Sequence, residues 1–217
     1  MTQTITVEES RELDDKTINK IGIPSMVLME RAGLKIYENM LDNKDLDLSN
    51  VLILAGTGNN GGDGLVVARL LATHGYKVSI LTIGNPDHAS DDHKSQQHIC
   101  DYYQIPKAFM NANFDKYTTL VDALFGSGLS RNVGGDFATI IDKANASAAK
   151  VHAIDIPSAL MATPVKSWGR LSKPLRLLPL PIQRSACLKN RPNHTPAKFM
   201  SMILAFIVEI HLKMNNY

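Results

Sequence analysis

The sequence predicts a doubly wound α/β fold with a mostly parallel sheet, and two observations carry this prediction. Short apolar runs alternate with helix-periodic stretches between residues 51 and 158, which is the pattern of repeated strand–helix–strand units. The apolar runs are followed by glycines or polar residues, as expected where parallel strands reach the ligand-binding edge of such a sheet. We therefore expect a Rossmann-like, three-layer αβα architecture.

The elements follow in chain order. Residues 1–43 are predicted to form a helix pair, because apolar side chains recur at helical spacing and residues 22–24 (GIP) interrupt them. Four strands are predicted at 51–55, 77–83, 119–125 and 151–156, with helices between them at 65–74, 90–103 and 137–149.

Composition places the chain among soluble globular proteins. Its 217 residues are 44% hydrophobic and 20% charged, which excludes a disordered, collagen-like or disulfide-rich chain. The two cysteines, Cys100 and Cys187, form no metal-binding spacing and fit a reducing compartment. No apolar run reaches the length of a membrane span, and residues 1–9 lack the features of a signal peptide. We expect a cytoplasmic protein that does not bind membranes.

The net charge of +2 hides two unlike segments. Residues 1–158 carry 14 Lys and Arg against 20 Asp and Glu, a net charge of −6, whereas residues 159–217 carry 9 basic side chains and one acid, a net charge of +8. We predict one domain at 1–158 and a separate tail at 159–217. A basic tail alone would suggest a nucleic-acid or anionic lipid partner, but we expect neither.

The loop at 56–64 (GTGNNGGDG) follows the first predicted strand. Its glycines permit positive φ angles and close backbone approach, so that main-chain N–H groups can bind phosphate oxygens. The loop lacks the Lys-Ser/Thr of a nucleotide-triphosphatase P-loop, and it does not follow the dinucleotide pattern G-x-G-x-x-G. The alternative is a purely structural turn between strand and helix.

Two carboxylates, Asp122 and Asp155, lie in or beside predicted strand ends. A buried carboxylate needs hydrogen-bond donors, a cation or a raised pKa, although either could simply cap a helix or hold a loop. The oxygen-bearing side chains of Asn60, Asp122 and Ser158 lie at three adjacent strand ends and suit a hard cation of low charge. By contrast, we interpret the scattered histidines at 88, 93 and 98 as solvent-facing.

Four motifs in order then identify a family. Residues 28–33 (LMERAG), 58–64 (GNNGGDG), 122–131 (DALFGSGLSR) and 154–158 (IDIPS) together resemble the NAD(P)H-hydrate epimerase family, also called the YjeF N-terminal domain. The resemblance implies an isomerase that interconverts the R and S epimers of hydrated NADH or NADPH, for the repair of these metabolites. It covers residues 1 to about 160.

The resemblance also implies a site. One potassium ion per subunit would be bound by Asn60, Asp122 and Ser158, and Asp155 is our candidate catalytic acid/base. The residues expected to bind the damaged nucleotide are Asn59, Asn60, Gly61, Gly62, Asp63, Gly126, Ser127, Gly128, Leu129, Ser130, Arg131, Asn132 and Asp155.

Partners and competing functions follow from the same resemblance. It implies an ADP- or ATP-dependent NAD(P)H-hydrate dehydratase as functional partner, and a homodimer. Two alternatives to an active epimerase stay open: an inactive, truncated product, or a non-catalytic scaffold that binds nucleotides or RNA, as a related domain does in decapping-enhancer proteins. The retained Asn60, Asp63, Asp122 and Asp155 favour an epimerase over a scaffold.

The tail departs from the family pattern directly after Ser158, where the family continues with a Gly-Leu-Asn-rich segment. In a reading frame shifted by one base, each new codon consists of the last base of one codon and the first two bases of the next. In this frame, the codons for Met161–Ala162 and for Trp168–Gly169 can encode only glycine at the junction. With permitted codons, residues 160–169 then become LNGDTGKVMG, which restores the family motif. We therefore predict that one base was lost near Leu160, that residues 159–217 are translated out of frame, and that the sheet lacks its last strands.

Overall fold

A computed structural model describes residues 7–126, 133–155 and 158. The described residues divide into two compact units, one at 7–25 and one from residue 26 onward. In the first unit, helix α1 (Val7–Asp15) is followed by a π-helical turn (Lys16–Ile21). The turn ends at Gly22, whose φ of 85° is the left-handed conformation that glycine adopts without strain.

The second unit alternates helices and strands. The strands are β1 (Val51–Gly56), β2 (Val78–Ile83), β3 (Thr119–Ala123) and β4 (Lys150–Ala153). The helices are α2 (Ser25–Asp42), α3 (Asn59–Thr73), α4 (Asp91–Tyr102) and α5 (Gly135–Ala146). This order confirms the α/β class that the sequence predicts.

The four strands form one parallel sheet in the order β2-β1-β3-β4. Every residue of β1 is buried, because this strand has a neighbour on both sides and helices on both faces. Alternation along β1 sends Leu52 and Leu54 into a core cluster with Ile140 of α5, whereas Ile53 faces Gly64 of α3. The sheet therefore lies between two helical layers, as predicted.

The layer around α3 also contains α2 and α4. A Cβ atom added to Gly33 of α2 would lie 2.3 Å from Cγ1 of Val66 in α3, so the two helices approach at a position where only glycine fits. Helix α4 packs along α3, and its Cys100 thiol donates a hydrogen bond of 3.4 Å to the Leu65 carbonyl. No helix in the described ranges has both the length and the apolarity needed to cross a membrane.

The predicted boundaries agree with the structure to within one or two residues for β1, β2 and α4. Helix α3 is different, because it begins at Asn59 rather than at Leu65. Asn and Gly have low helix propensity, but tertiary contacts of the first turn outweigh it here. The predicted tail at 159–217 lies outside the described residues and stays a prediction.

Candidate functional site

The carboxyl ends of the parallel strands bring the sequence motifs to one edge of the sheet. Asn60 follows β1, Gly126 follows β3, and Asp155 and Ser158 follow β4. Because β1, β3 and β4 are consecutive in the sheet, these residues lie at neighbouring strand ends, which is where ligands bind in such sheets.

Glycines in the turn after β1 are required for close packing. A Cβ atom added to Gly61 would lie 1.8 Å from the Gly56 carbonyl oxygen, and one added to Gly56 would lie 2.1 Å from the Leu124 carbonyl oxygen. A Cβ on Gly62 would lie 2.5 Å from Cε of Met29. Positive φ angles do not explain these glycines, because none in this turn has one. That part of the sequence interpretation is wrong, whereas close backbone approach is confirmed.

The N-terminus of α3 opens towards this edge. Gly58 is the N-cap in an extended conformation and offers no side chain to the backbone N–H groups of the first turn. The first of the helical hydrogen bonds runs from Gly62 N–H to the Gly58 carbonyl, at 3.1 Å. The N–H groups of Asn59, Asn60 and Gly61 precede it and lack helical acceptors, so their partial positive charge is available to an anion such as a phosphate.

Asp122 is the buried carboxylate of the site. It is 6% exposed, and three donors reach it: Ser158 N–H and Ser158 Oγ, both at 2.7 Å, and Leu124 N–H at 3.2 Å. Burial raises the pKa of Asp122, and the hydrogen bonds from Ser158 and Leu124 oppose this rise. The charged form of Asp122 therefore carries a net desolvation cost that a nearby cation would offset.

Asn60 carries an unsatisfied buried group. Its Nδ2 atom is buried and has no hydrogen-bond partner among the described residues. The nitrogen and oxygen of an amide are assigned from the hydrogen-bond network, so the reversed orientation would place the carbonyl oxygen in the same position. An oxygen there would be a ligand of the type that a hard monovalent ion prefers, and a shared site with Asp122 and Ser158 stays a prediction.

Clusters of acidic or soft metal-binding side chains are absent from the described residues. The described ranges contain no group of three His, Cys, Asp or Glu side chains that could hold a metal ion. The sequence predicts a different donor set, in which the carboxylate of Asp122 is combined with the neutral oxygens of Asn60 and Ser158, and this set stays a prediction.

Asp155 lies beside Gly126 and Asn60. A Cβ atom added to Gly126 would lie 3.0 Å from Oδ2 of Asp155 and 3.5 Å from Cβ of Asn60. The side chain of Asp155 is exposed, so a ligand at the strand ends can reach its carboxylate. This trio and the pair of Asp122 with Ser158 are the two groups of predicted residues that the structure brings into contact.

The other predicted residues are distributed along the same edge. Asn59 at the start of α3 is exposed and Asp63 in its second turn is half-buried, whereas Gly61 and Gly62 are buried. Residues 127–132, which the sequence predicts to bind the nucleotide, lie outside the described residues. Their role stays a prediction.

His93 is a residue of this region that the sequence interpretation places wrongly. Its side chain is 3% exposed, whereas His88 and His98 are exposed as predicted. Helical spacing could have revealed this, because His93, Gln96 and Cys100 recur at i, i+3 and i+7 on the buried face of α4.

Comparison with known proteins agrees with the fold and the motifs. Residues 25–171 match the family model of the YjeF-related protein N-terminus. An NAD(P)H-hydrate epimerase of Lentilactobacillus buchneri is 89% identical over 160 residues, 74% of each chain. A second, from Limosilactobacillus fermentum, is 49% identical over 158 residues, 73% of this chain and 76% of the relative.

A solved structure shows the same fold. The crystal structure of the yeast protein ynu0 superimposes with a TM-score of 0.62 at 23% identity, covering 72% of both chains. The likeness extends to the overall fold. With a family match over most of its length, this chain belongs to the YjeF N-terminal family.

Proposed function

We propose that residues 1–158 form the substrate- and cation-binding part of an NAD(P)H-hydrate epimerase. The observation that carries this proposal is the meeting of Asn60, Gly126 and Asp155 at the strand ends, beside the open N-terminus of α3. Relatives that are 89% and 49% identical carry the name of this activity, which supports it.

The substrate, hydrated NADH or NADPH, contains a diphosphate and a hydroxylated nicotinamide ring. The N–H groups at the start of α3, which precede the first helical hydrogen bond, fit the diphosphate because helix N-termini attract anions. Residues 126–132 would complete the nucleotide site. A ligand held there would pass Asn60 and Gly126 and bring its ring towards Asp155.

Epimerisation requires a bond at the hydroxylated carbon to break and to form again on the opposite face. In our proposal Asp155 gives a proton to the departing hydroxyl, which leaves as water, and takes a proton back when water adds to the other face. An exposed carboxylate at the strand ends can exchange protons in this way. The proton balance closes, and no oxidant or reductant is needed.

Asn60, Asp122 and Ser158 would hold one potassium ion per subunit. The unpartnered amide of Asn60 and the buried charge of Asp122 fit such an ion. When bound, it would supply positive charge beside Asp122 and the substrate diphosphate. We extend the proposal to a cytoplasmic homodimer that works with an ADP- or ATP-dependent dehydratase.

The origin of the tail at residues 159–217 affects how much epimerase activity we expect of this chain. We propose that residues 159–217 are out-of-frame translation, because their charge departs from that of residues 1–158 and a shift of one base permits the family motif at residues 160–169. The chain would then keep the ligand residues of the site and lack the last strands of the sheet. The scaffold alternative has no observation in its favour.

The direct test starts from one purified epimer of hydrated NADH and follows the approach to an epimer mixture by chromatography. We expect protein from a gene with the lost base restored to accelerate this approach in potassium buffer, and less so in sodium buffer. Asp155→Asn should lose most of the acceleration, whereas the exposed Asp136→Asn should not. No acceleration by the restored protein would overturn the proposed function.

A further inference from the structure

Helix α2 carries an apolar stripe on its exposed side. Val27, Leu34 and Leu41 recur every seven residues and are 46%, 44% and 42% exposed. They are three of the six large apolar side chains that are exposed in the described part of the chain. Single exposed apolar residues are common on protein surfaces. A seven-residue repeat along one helix is instead typical of a helix that packs against another helix.

Two charged residues complete the exposed stripe. Arg31 and Glu38 each lie four residues after one of the apolar residues, and both are exposed. We define the exposed stripe of α2 as residues 27, 31, 34, 38 and 41, which read Val-Arg-Leu-Glu-Leu. The buried residues of α2 are a different set: Met29, Gly33, Ile36, Tyr37 and Met40. The exposed stripe is therefore not part of the domain core.

A groove beside the first turns of α2 widens this surface. It has a volume of about 450 Å³ and is lined by Met26 and Val27 of α2 and by Ile99 of α4. Tyr103, which follows α4 and is 49% exposed, also lines the groove. An apolar side chain placed opposite Val27 would thus contact residues of both helices.

We propose that the exposed stripe of α2 binds the same stripe of a second copy of this chain, with the two helices antiparallel about a two-fold axis at Leu34. In this arrangement Leu34 contacts its own symmetry mate, and Val27 lies opposite Leu41 of the second copy. That Leu41 side chain then enters the groove between α2 and α4. The inference rests on the homodimer of the proposed function and adds the surface through which it forms.

The charges of the stripe favour a second copy in the antiparallel orientation. In an antiparallel pair centred on Leu34, Arg31 lies opposite Glu38 of the second copy, and the symmetry produces this ion pair twice. In a parallel pair each residue faces its own mate, so that like charges meet, which is unfavourable. Oε2 of Glu38 accepts from Lys35 of the same helix at 2.9 Å, and Oε1 can accept from the guanidinium of the second copy. The stripe is therefore complementary to itself in charge and in apolar pattern.

The first test is charge reversal, read by sedimentation equilibrium of the full chain. Arg31→Glu and Glu38→Arg should each raise the dimer dissociation constant about tenfold, because two ion pairs become two repulsive contacts. The double variant exchanges the two charges and should recover the parental constant. Asp142→Arg, at an exposed position of α5 in the opposite helical layer, is the matched control and should dimerise like the parent. A monomeric parent, parental constants in the single variants, or no recovery in the double variant would overturn the proposal.

The second test is disulfide cross-linking, which reads the register. Leu34→Cys should give a covalent dimer on a non-reducing gel after addition of a mild thiol oxidant, because the two-fold axis brings the two thiols within reach of each other. The parent and Phe109→Cys, at a residue outside α2 that is 71% exposed, should not. Val27→Cys should cross-link with Leu41→Cys when the two variants are mixed, but not with itself.

Two results of the cross-linking would overturn the proposal. Equal cross-linking of Leu34→Cys and Phe109→Cys would exclude this surface, and cross-linking of Val27→Cys with itself would show a parallel pair. Both tests measure association rather than turnover. A chain that dimerises as expected but does not epimerise hydrated NADH would therefore count against the proposed activity and not against the surface.

Discussion

Asp122 and Ser158 are joined by two hydrogen bonds of 2.7 Å, one from the backbone N–H of Ser158 and one from its hydroxyl. The two residues lie 36 positions apart in the sequence. Through this pair, the segment after β4 is attached to the only buried carboxylate found in the described ranges. The candidate cation site is thus part of the structural link between β3 and β4.

Asp122→Asn should remove the stabilisation by potassium. The amide keeps the size of the carboxylate but carries no charge, so exchanging sodium for potassium should no longer raise the unfolding midpoint. Thermal unfolding in matched sodium and potassium buffers measures this effect, with the exposed Asp136→Asn as control. An undiminished potassium response in Asp122→Asn would exclude this carboxylate as the ligand.

The same response should depend on pH. Because burial raises the pKa of Asp122 above 3.8, the carboxyl holds its proton to a higher pH in the folded chain than in the unfolded chain. Potassium needs the charged form, so its stabilising effect should be complete above the raised pKa and decline as pH falls through it. Thermal unfolding at a series of pH values in both salts measures this decline.

Gly61→Ala should strongly destabilise the domain. The added Cβ would lie 1.8 Å from the Gly56 carbonyl oxygen, so the backbone of β1 or α3 must move. We expect a loss of about 3 kcal/mol or more in the free energy of unfolding, at the upper end of overpacking effects. Gly58→Ala is the matched control, since nothing lies within 4 Å of its Cβ position. Urea denaturation of both variants compares the two, and equal stability would show that the turn can relax.

His152 should make stability depend on pH below neutrality. Burial lowers the pKa of His152 to about 4, against 6.5 in the unfolded chain, so between these values the unfolded chain binds more protons. Stability is therefore complete above about pH 6.5 and falls by up to about 1.4 kcal/mol per pH unit below it. Burial also lowers the pKa of His93, so this residue adds to the loss of stability at low pH.

Urea unfolding between pH 7 and pH 5 tests this dependence. His152→Leu should flatten the profile, whereas the exposed His98→Gln should leave it unchanged. A parental slope in His152→Leu would assign the pH dependence to other groups.

Resequencing the gene near the codon for Ala159 tests the origin of the tail. We expect one additional base, which restores the family reading of residues 160–169. If the base is truly absent, the chain as written should epimerise hydrated NADH more slowly than the restored protein and unfold at a lower urea concentration. Equal activity and stability of the two proteins would show that the last strands are dispensable.

The strands could be predicted because their signal is local. Residues 51–55 form an uninterrupted apolar run, and β1 is an interior strand, buried along its whole length. Asp122 and Asp155 could be proposed as site residues for a related reason, since a carboxylate beside an apolar strand needs a partner. The proposed substrate follows only from the family motifs, because the spacing of apolar residues carries no information about a ligand.

The start of α3 could not be predicted from local preferences. Asn59 and Gly61 disfavour helix, but Gly61 packs on the Gly56 carbonyl and Gly62 packs against Met29. These contacts depend on residues distant in sequence. The burial of His93 depends in the same way on the turn at 57–62, which occupies the space that solvent would otherwise fill.

The strand order β2-β1-β3-β4 has a consequence for synthesis on the ribosome. The first strand to emerge is an interior strand, and each later strand adds to one that already exists, so the sheet can assemble while the chain is still being made. Ser158 arrives last and supplies two of the donors that Asp122 needs. Until Ser158 arrives, Asp122 must stay hydrated or protonated. The hydrogen bonds between Asp122 and Ser158 therefore form when the segment after β4 docks.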